Sequence, residues 1–175
     1  MKILTVNNEK EEKFLRQRTA DFDFSKFTEK EIDELVEKMR KKMIAANGIG
    51  LSANQLGLDL RLFVAQISEE PLERDEKSQT DMPSPNKAEF YAIFNPEIIE
   101  FSKQTETIEE GCLSVPGIYG LVERPAEITI VGRDENNKKI KIKASSILAR
   151  VFQHELDHLN GILFIDKASN IHKIE

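Results

Sequence analysis

The first third of the chain has the apolar spacing of a helix. Five apolar residues share one helical face: Ile32, Leu35, Val36, Met39 and Met43. Thr28 and Glu31 precede them as a capping box, in which the hydroxyl and the carboxylate satisfy each other's free backbone amides. Asn47 and Gly48 tolerate left-handed backbone geometry, so they predict the end of this helix.

Apolar runs predict several strands and a second helix in the rest of the chain. Three strand-like runs lie at residues 60–67, 90–94 and 98–101. Residues 127–131 and 139–143 alternate apolar and polar positions around a polar turn, which predicts a β-hairpin. Ser145 or Ser146 can cap a second helix that ends at Asn160. We therefore expect an α+β fold with mostly antiparallel strands.

Length and composition narrow the class of protein. A chain of 175 residues without repeats is expected to form a single domain over residues 1–175, with polar, proline-containing residues 68–86 as an exposed insertion loop. The net charge of -6 disfavours nucleic-acid binding, and no apolar run could span a membrane. The N-terminus does not resemble a secretory signal, and a lone cysteine cannot form an internal disulfide. These features predict a soluble, cytoplasmic protein.

Two of the three histidines lie in the segment His154-Glu155-Leu156-Asp157-His158. Residues four apart on a helix share a face, so both imidazoles can reach one metal ion. Glu155 lies beside them, where it can handle a proton on water bound to that ion. The alternative interpretation is an amphipathic helix whose histidines pack in a core.

Two histidines leave a catalytic metal site one protein ligand short. The extended metalloprotease pattern needs histidine at position 164, where this chain has Phe164. The polar tail that contains His172 is expected to fray, which disfavours a ligand from downstream. Cys112 is the upstream candidate because a thiolate is a strong, soft ligand. A lone cysteine is otherwise most often a small buried apolar residue, and the histidine pair is what favours the ligand role.

A glycine-containing loop, GIGLSANQ at residues 48–55, loosely fits a dinucleotide-binding pattern. That pattern requires a strand before the loop and a helix after it, and the order here is the reverse, so we reject cofactor binding. Such glycines can instead bring bare backbone close to a ligand, and the Gln55 amide can donate to a developing oxyanion. The plainer alternative is a helix-to-strand turn with Gln55 in solvent.

Three segments together resemble the peptide deformylases: GIGLSANQ at 48–55, EGCLS at 110–114 and QHELDH at 153–158. All three motifs in this order are highly specific, and the likeness extends from residue 30 to residue 168. The resemblance implies an α+β fold in which the HExxH helix, bearing the metal, packs against mostly antiparallel sheets.

The resemblance also implies a role for each matching position. The metal ligands are Cys112, His154 and His158. The general acid/base is Glu155, and the oxyanion donors are the side chain of Gln55 and the backbone N–H of Leu113. The substrate-binding positions are Ile49, Gly50 and Val151.

Members of this family remove the N-formyl group from the initiator methionine of newly made polypeptides and release formate. Their usual metal is Fe(II), often replaced by nickel, cobalt or zinc, and the expected partners are N-formyl-Met nascent peptides. Some members dock on the ribosome through a long C-terminal helix. The tail after residue 158 is too short for one, so ribosome docking is left as an open alternative. Ser52 also departs from the family, which usually has alanine there.

Two other functions are compatible with the residues. A zinc peptidase could use the HExxH pair with a distant or intermolecular third ligand. A non-catalytic metal-binding domain would need four protein ligands, and Asp157 faces away from the histidine side of the helix. Phe164 and the short tail disfavour the peptidase, and the sequence offers no fourth ligand for a closed site.

Overall fold

The computed structural model describes residues 1–68 and 88–174. These ranges contain three α-helices: α1 (Glu9–Leu15), α2 (Glu29–Ala45) and α3 (Ser146–Leu159). They also contain eight strands: β1 (Gly50–Ser52), β2 (Leu62–Ser68), β3 (Ala88–Phe101), β4 (Thr105–Cys112), β5 (Val115–Pro125), β6 (Glu127–Arg133), β7 (Lys139–Ser145) and β8 (Ser169–Lys173). Short 3₁₀ turns lie at Phe24–Lys26, Ala53–Leu56 and Phe164–Asp166.

The strands form two antiparallel sheets. The larger sheet has the order β1-β2-β3-β6-β7, and the smaller one has the order β4-β5-β8. Strand β1 is therefore an edge of the larger sheet, and β4 is an edge of the smaller one. Helix α3 contacts β1, β2 and β7 of the larger sheet and β5 of the smaller one, so it joins the two. The expected α+β fold with mostly antiparallel strands is confirmed.

Helix α2 begins and ends where the sequence predicts. The backbone N–H of Thr28 donates to the Glu31 carboxylate at 2.8 Å, and the Glu31 N–H donates to the Thr28 hydroxyl at 3.3 Å. Asn47, just past the helix, has a positive φ of 55°. The buried apolar face of the helix packs against Leu51, Leu62 and Val64 from β1 and β2. Helix α2 therefore fixes the start of the glycine loop against the larger sheet.

Helix α3 is almost entirely enclosed. Its N-cap is Ser145, one of the two serines expected at this position, although the serine side chain makes no capping hydrogen bond. Nearly all residues from Ala149 to Leu159 are buried, because one side of the helix packs on each sheet. The predicted hairpin is also confirmed, since β6 and β7 pair directly before the helix. This packing holds the histidine-bearing face of α3 at the junction of the two sheets.

The structure corrects three details of the sequence prediction. The runs at 90–94 and 98–101 belong to one strand, β3, which passes through a bulge between Phe94 and Glu97. Asn95 makes the bulge with a φ of 49°, and its carboxamide holds both backbone polar groups of Phe22. The local sequence pattern does not predict that β3 continues through Pro96 by means of a bulge.

The other two corrections concern the loop and the tail. The predicted loop at residues 48–55 contains β1 and most of the 3₁₀ turn at Ala53–Leu56, so it is not irregular throughout. The tail expected to fray pairs with β5 as strand β8, and His172 lies opposite Tyr119. The insertion predicted at 68–86 lies outside the described residues, except for Ser68. None of the helices in the described ranges combines the length and apolarity that crossing a bilayer requires.

Candidate metal centre

Three predicted ligand atoms converge beside α3. One ligand atom from each of Cys112, His154 and His158 lies within 4.8 Å of the others, and the Cys112 Sγ is 3.1 Å from Nε2 of His158. The two imidazoles are one helical turn apart, with ring centroids separated by 4.9 Å. Cys112 reaches them from the end of β4, because α3 packs against both sheets. The structure thus brings together the three residues that the sequence selected.

The chemistry of these residues fits a divalent transition metal. Burial alone would raise the pKa of the Cys112 thiol, but the imidazoles of His158 and His154 outweigh it and hold that pKa well below its usual range. The thiolate is the form that binds metal, and a thiolate with imidazoles suits zinc, iron, cobalt or nickel. Among the Cys, His, Asp and Glu of the described residues, no fourth side chain joins this group. Three protein ligands with a free position are typical of a catalytic site.

A buried ionic network orients His154. Its Nδ1–H donates to the Glu110 carboxylate at 2.9 Å, so Nε2 is the nitrogen that can join the ligand group with Cys112 and His158. The side chain of Arg124 donates to Glu110 at 2.6 and 3.0 Å and to Asp157 at 2.7 Å, and Arg150 donates to Glu110 at 2.7 Å. Although burial opposes ionisation, His154 and Arg124 hold the pKa of Glu110 well below its usual value. Asp157 lies outside the group of three ligand atoms and pairs instead with Arg124 and Lys167.

Sequence reasoning missed the role of Glu110 and Arg124. Arg124 has the same strand parity as the buried residues Gly120 and Val122 of β5, so a charged residue occupies an inward-facing position. An arginine at such a position needs a buried carboxylate as its partner. The inward-facing arginine is therefore the sequence signal for a buried ion pair. The identity of its partner depends on the register of β4 against β5, where Glu110 lies opposite Gly120.

The first prediction concerns this network. Replacing Glu110 by Gln should reduce the free energy of unfolding by about 3–5 kcal/mol, because buried Arg150 loses the carboxylate that it contacts and buried Arg124 keeps only that of Asp157. The matched control is Glu109→Gln, since Glu109 is the half-exposed neighbour on the same strand. Its loss should be below about 1 kcal/mol. Urea unfolding at equal metal loading measures both, and equal losses would contradict the role given to Glu110.

Glu155 lies in the same site, with its carboxylate against the glycine loop. A Cβ at Gly50 would collide with that carboxylate and would come within 2.9 Å of Val151, so only glycine fits there. Burial raises the pKa of Glu155 to about 6, although the neighbouring imidazoles lower it. Its Oε2 is buried and, among the described residues, has no hydrogen-bond partner. Glu155 is therefore a carboxyl group that can gain or lose a proton near neutral pH.

The Gln55 amide is held in one orientation. Its Oε1 accepts hydrogen bonds from the backbone N–H of Ser52 at 2.9 Å and from the Ser52 hydroxyl at 3.0 Å. Its Nε2 consequently points to the other side, where it donates to the Ser114 hydroxyl at 3.1 Å and lies 3.6 Å from the Cys112 Sγ. The serine at position 52, which departs from the family pattern, therefore adds a second donor that fixes this amide.

A cleft of about 520 Å³ opens over these residues. It is lined by eight of the nine predicted site residues: Ile49, Gly50, Gln55, Cys112, Leu113, Val151, His154 and Glu155. His158 lies beneath them and is 1% exposed. Two edge strands, β1 and β4, contribute residues to the walls. An extended chain in the cleft can therefore pair with backbone at a sheet edge.

The sequence is similar to known deformylases over nearly all of its length. Residues 1–173 match the model of a family described as polypeptide deformylase. A peptide deformylase from Prochlorococcus marinus is 44% identical over 142 residues, which are 81% of this chain and 63% of that protein. The chain thus spans a little under two thirds of the length of that relative.

Solved structures show the same likeness in three dimensions. The crystal structure of a probable peptide deformylase from Synechococcus phage S-SSM7 has a TM-score of 0.77 and 34% identity, over 95% of this chain and 99% of that one. A Met-Ala-Ser-bound peptide deformylase from Acinetobacter baumannii has a TM-score of 0.78 and 27% identity, over 95% and 97% of the two chains. The family match, these structures and the converging motif residues lead to one conclusion: the chain belongs to the polypeptide deformylase family.

Proposed function

We propose that this chain is a metal-dependent hydrolase that removes the N-formyl group from the N-terminal formyl-methionine of newly made polypeptides and releases formate. One observation carries the proposal. A buried carboxyl group, Glu155, and an oriented amide donor, Gln55, lie beside the three converging atoms of Cys112, His154 and His158 in one cleft. Family membership supplies the reaction that this arrangement supports.

We assign Fe(II) as the metal, on the strength of the family resemblance. Cys112, His154 and His158 would hold it, and zinc, nickel or cobalt could replace it because thiolate and imidazole ligands suit all four ions. When bound, the ion polarises the formyl oxygen and activates water for attack. Determining the metal in protein purified without oxygen tests this assignment, and an ion other than iron would contradict it.

The side chains of the cleft supply the rest of the mechanism. Glu155 takes a proton from the attacking water, and it later passes that proton to the leaving amine as the C–N bond breaks. Its pKa of about 6 suits both steps near neutral pH. The Gln55 Nε2 and the Leu113 backbone N–H donate to the oxyanion that forms on the formyl oxygen. Formate and a free N-terminal amine are the products.

Substrate recognition uses the two walls of the cleft. Ile49, Gly50, Val151 and His154 all line the cleft. We assign the backbone of Ile49 and Gly50 to pairing with an extended peptide, and Val151 and His154 to the pocket for the methionine side chain. The Acinetobacter baumannii structure was obtained with Met-Ala-Ser, a peptide that begins with methionine. Backbone pairing with one side-chain pocket suits an enzyme whose substrates share only their first residue.

The second prediction tests the oxyanion donor. Replacing Gln55 by Glu keeps an acceptor for Ser52 but removes the N–H donor, so kcat should fall by about 10²–10³-fold, with KM changed far less. The control is Gln66→Glu. The Gln66 side chain accepts a hydrogen bond from Arg40 of α2, on the face of β2 that is opposite to α3. Steady-state kinetics with a formyl-Met peptide measures both variants. A Gln55→Glu variant with the kcat of the control would contradict the donor role.

The experiment that tests the function compares two substrates. Metal-loaded protein should release formate from a formyl-Met peptide and should leave the unformylated peptide intact. Cleavage of internal bonds in the unformylated peptide, without formate release, would favour the zinc-peptidase alternative and overturn the proposal. A non-catalytic metal-binding domain would produce neither reaction.

The remaining assignments follow from this function. We propose that residues 1–175 form a single catalytic domain that acts in the cytoplasm, where formylated polypeptides are made. Docking on the ribosome is a separate hypothesis, and co-sedimentation with translating ribosomes tests it. Failure to co-sediment would restrict the partners to the nascent peptides themselves.

A further inference from the structure

The two histidines of the metal centre differ in what supports them. His154 donates its Nδ1–H to the Glu110 carboxylate. His158 has Nε2 beside the Cys112 Sγ, so its Nδ1 is the nitrogen that faces away from the ligand atoms. This Nδ1 is buried and, among the described residues, has no hydrogen-bond partner. A neutral imidazole that binds metal through Nε2 has its proton on Nδ1, and a buried N–H without an acceptor is destabilising.

Asn54, in the same part of the fold, has a buried acceptor without a donor in the described part of the chain. Its side chain is 1% exposed, and its Nδ2 donates to the main-chain carbonyl of His158 at 2.6 Å. Its Oδ1 is buried and, within the described ranges, also lacks a partner. A 180° flip of the amide would not give Oδ1 a donor, because it would place Oδ1 against the carbonyl oxygen of His158, to which Nδ2 now donates. An unpaired donor and an unpaired acceptor therefore belong to two residues that a hydrogen bond already joins.

We propose that Asn54 is the positioning residue for His158: it holds the main chain through Nδ2, and its Oδ1 accepts the imidazole Nδ1–H through one bridging water. The proposal rests on the metal site assigned above, but not on the reaction. Asn54 would then do for His158 what Glu110 does for His154, with a neutral acceptor in place of a carboxylate. It would also tie the turn that contains Gln55 to the ligand helix.

The consequence is a measurable effect on metal affinity. A partner that orients a metal-binding histidine is typically worth about 10–100-fold in metal affinity. Replacing Asn54 by Leu removes both hydrogen bonds at similar volume, so the dissociation constant for zinc should rise by about that factor. Replacing Asn54 by Asp removes the donor but keeps an acceptor for Nδ1–H. The Asp variant should therefore bind zinc more tightly than the Leu variant.

Thr19 provides a matched control, because it binds the main-chain carbonyl of Leu159, the residue that follows His158. The Thr19 hydroxyl is buried and donates to the main-chain carbonyl of Leu159 at 3.1 Å. Thr19→Val removes a hydrogen bond to the end of α3 without touching a ligand. Like the Asn54 variants, Thr19→Val should lower the melting temperature. It leaves the contact between Asn54 and His158 intact, so the zinc dissociation constant should stay within about twofold of wild type.

The experiment is zinc competition against a chromophoric chelator, with the full chain and no formylated substrate. The order of affinity predicted is wild type and Thr19→Val, then Asn54→Asp, then Asn54→Leu. In the zinc-loaded wild type, nitrogen NMR should also show a slowly exchanging Nδ1–H on His158 that Asn54→Leu loses. If Asn54→Asp binds zinc no better than Asn54→Leu, or if Thr19→Val weakens binding equally, the acceptor role is wrong. Because formate release is not measured, this failure is distinct from failure of the proposed reaction.

Discussion

Replacing Glu155 by Ala should leave one metal ion per chain and should reduce formate release by about 10²–10⁴-fold, the range expected when a general acid/base is lost. The carboxyl group is buried, its pKa is raised to about 6 by burial, and its Oε2 has no partner among the described residues. It is therefore free to accept a proton from water and to return it to the amine. The ligand atoms of Cys112, His154 and His158 are left intact by this change.

The measurement pairs metal analysis with formate release from a formyl-Met peptide. Glu109→Ala is the control, because Glu109 lines the same cleft but is half exposed and contacts His172. It should keep both the metal and most of the activity. A Glu155→Ala protein that retains its metal and has near wild-type turnover would show that another group moves the proton.

Replacing Cys112 by Ala should cost the protein its metal. Cys112 is the only residue that can supply a thiolate to the proposed site, since the chain contains a single cysteine. Without it, two imidazoles are left to hold the ion, and no other Cys, His, Asp or Glu among the described residues joins them. Metal content after dialysis should fall well below one ion per chain, and formate release should fall with it.

The third histidine provides the control for this variant. His172 is half exposed on β8 and lies outside the ligand group, so His172→Ala should retain a full complement of metal. Cys112→Ser is a less informative change, because a hydroxyl can still ligate weakly. Stoichiometric metal in Cys112→Ala would mean that a different residue is the third ligand.

Much of the site could be predicted because its signals are local. The spacing of His154 and His158 on one helix, the capping of α2 and the alternation in the β6–β7 hairpin are all set within a few residues. The choice of Cys112 also needed no tertiary information, because the chain offers few residues that can bind a soft metal. These features depend on residue type and spacing, which the sequence shows directly.

The features that were not predicted depend on pairing between distant segments. Strand β8 forms because it pairs with the edge of β5. The polar residues of the tail do not reveal this pairing, so the sequence alone predicted a frayed tail. Glu110 meets Arg124 only through the register of β4 against β5 and the packing of α3. Asn54 reaches the carbonyl of His158 across 104 positions of sequence. Such contacts place the supporting groups of a site, and no local pattern encodes them.

The most direct test of the central claim is anomalous diffraction from crystals of the zinc-loaded protein. The account predicts one strong peak about 2.3 Å from the Cys112 sulfur and about 2.0–2.1 Å from a ring nitrogen of His154 and of His158, with solvent in the fourth position. A peak away from these three residues would contradict the account. A peak whose fourth ligand is a protein side chain would also contradict it, because the ion would then be structural and closed to substrate.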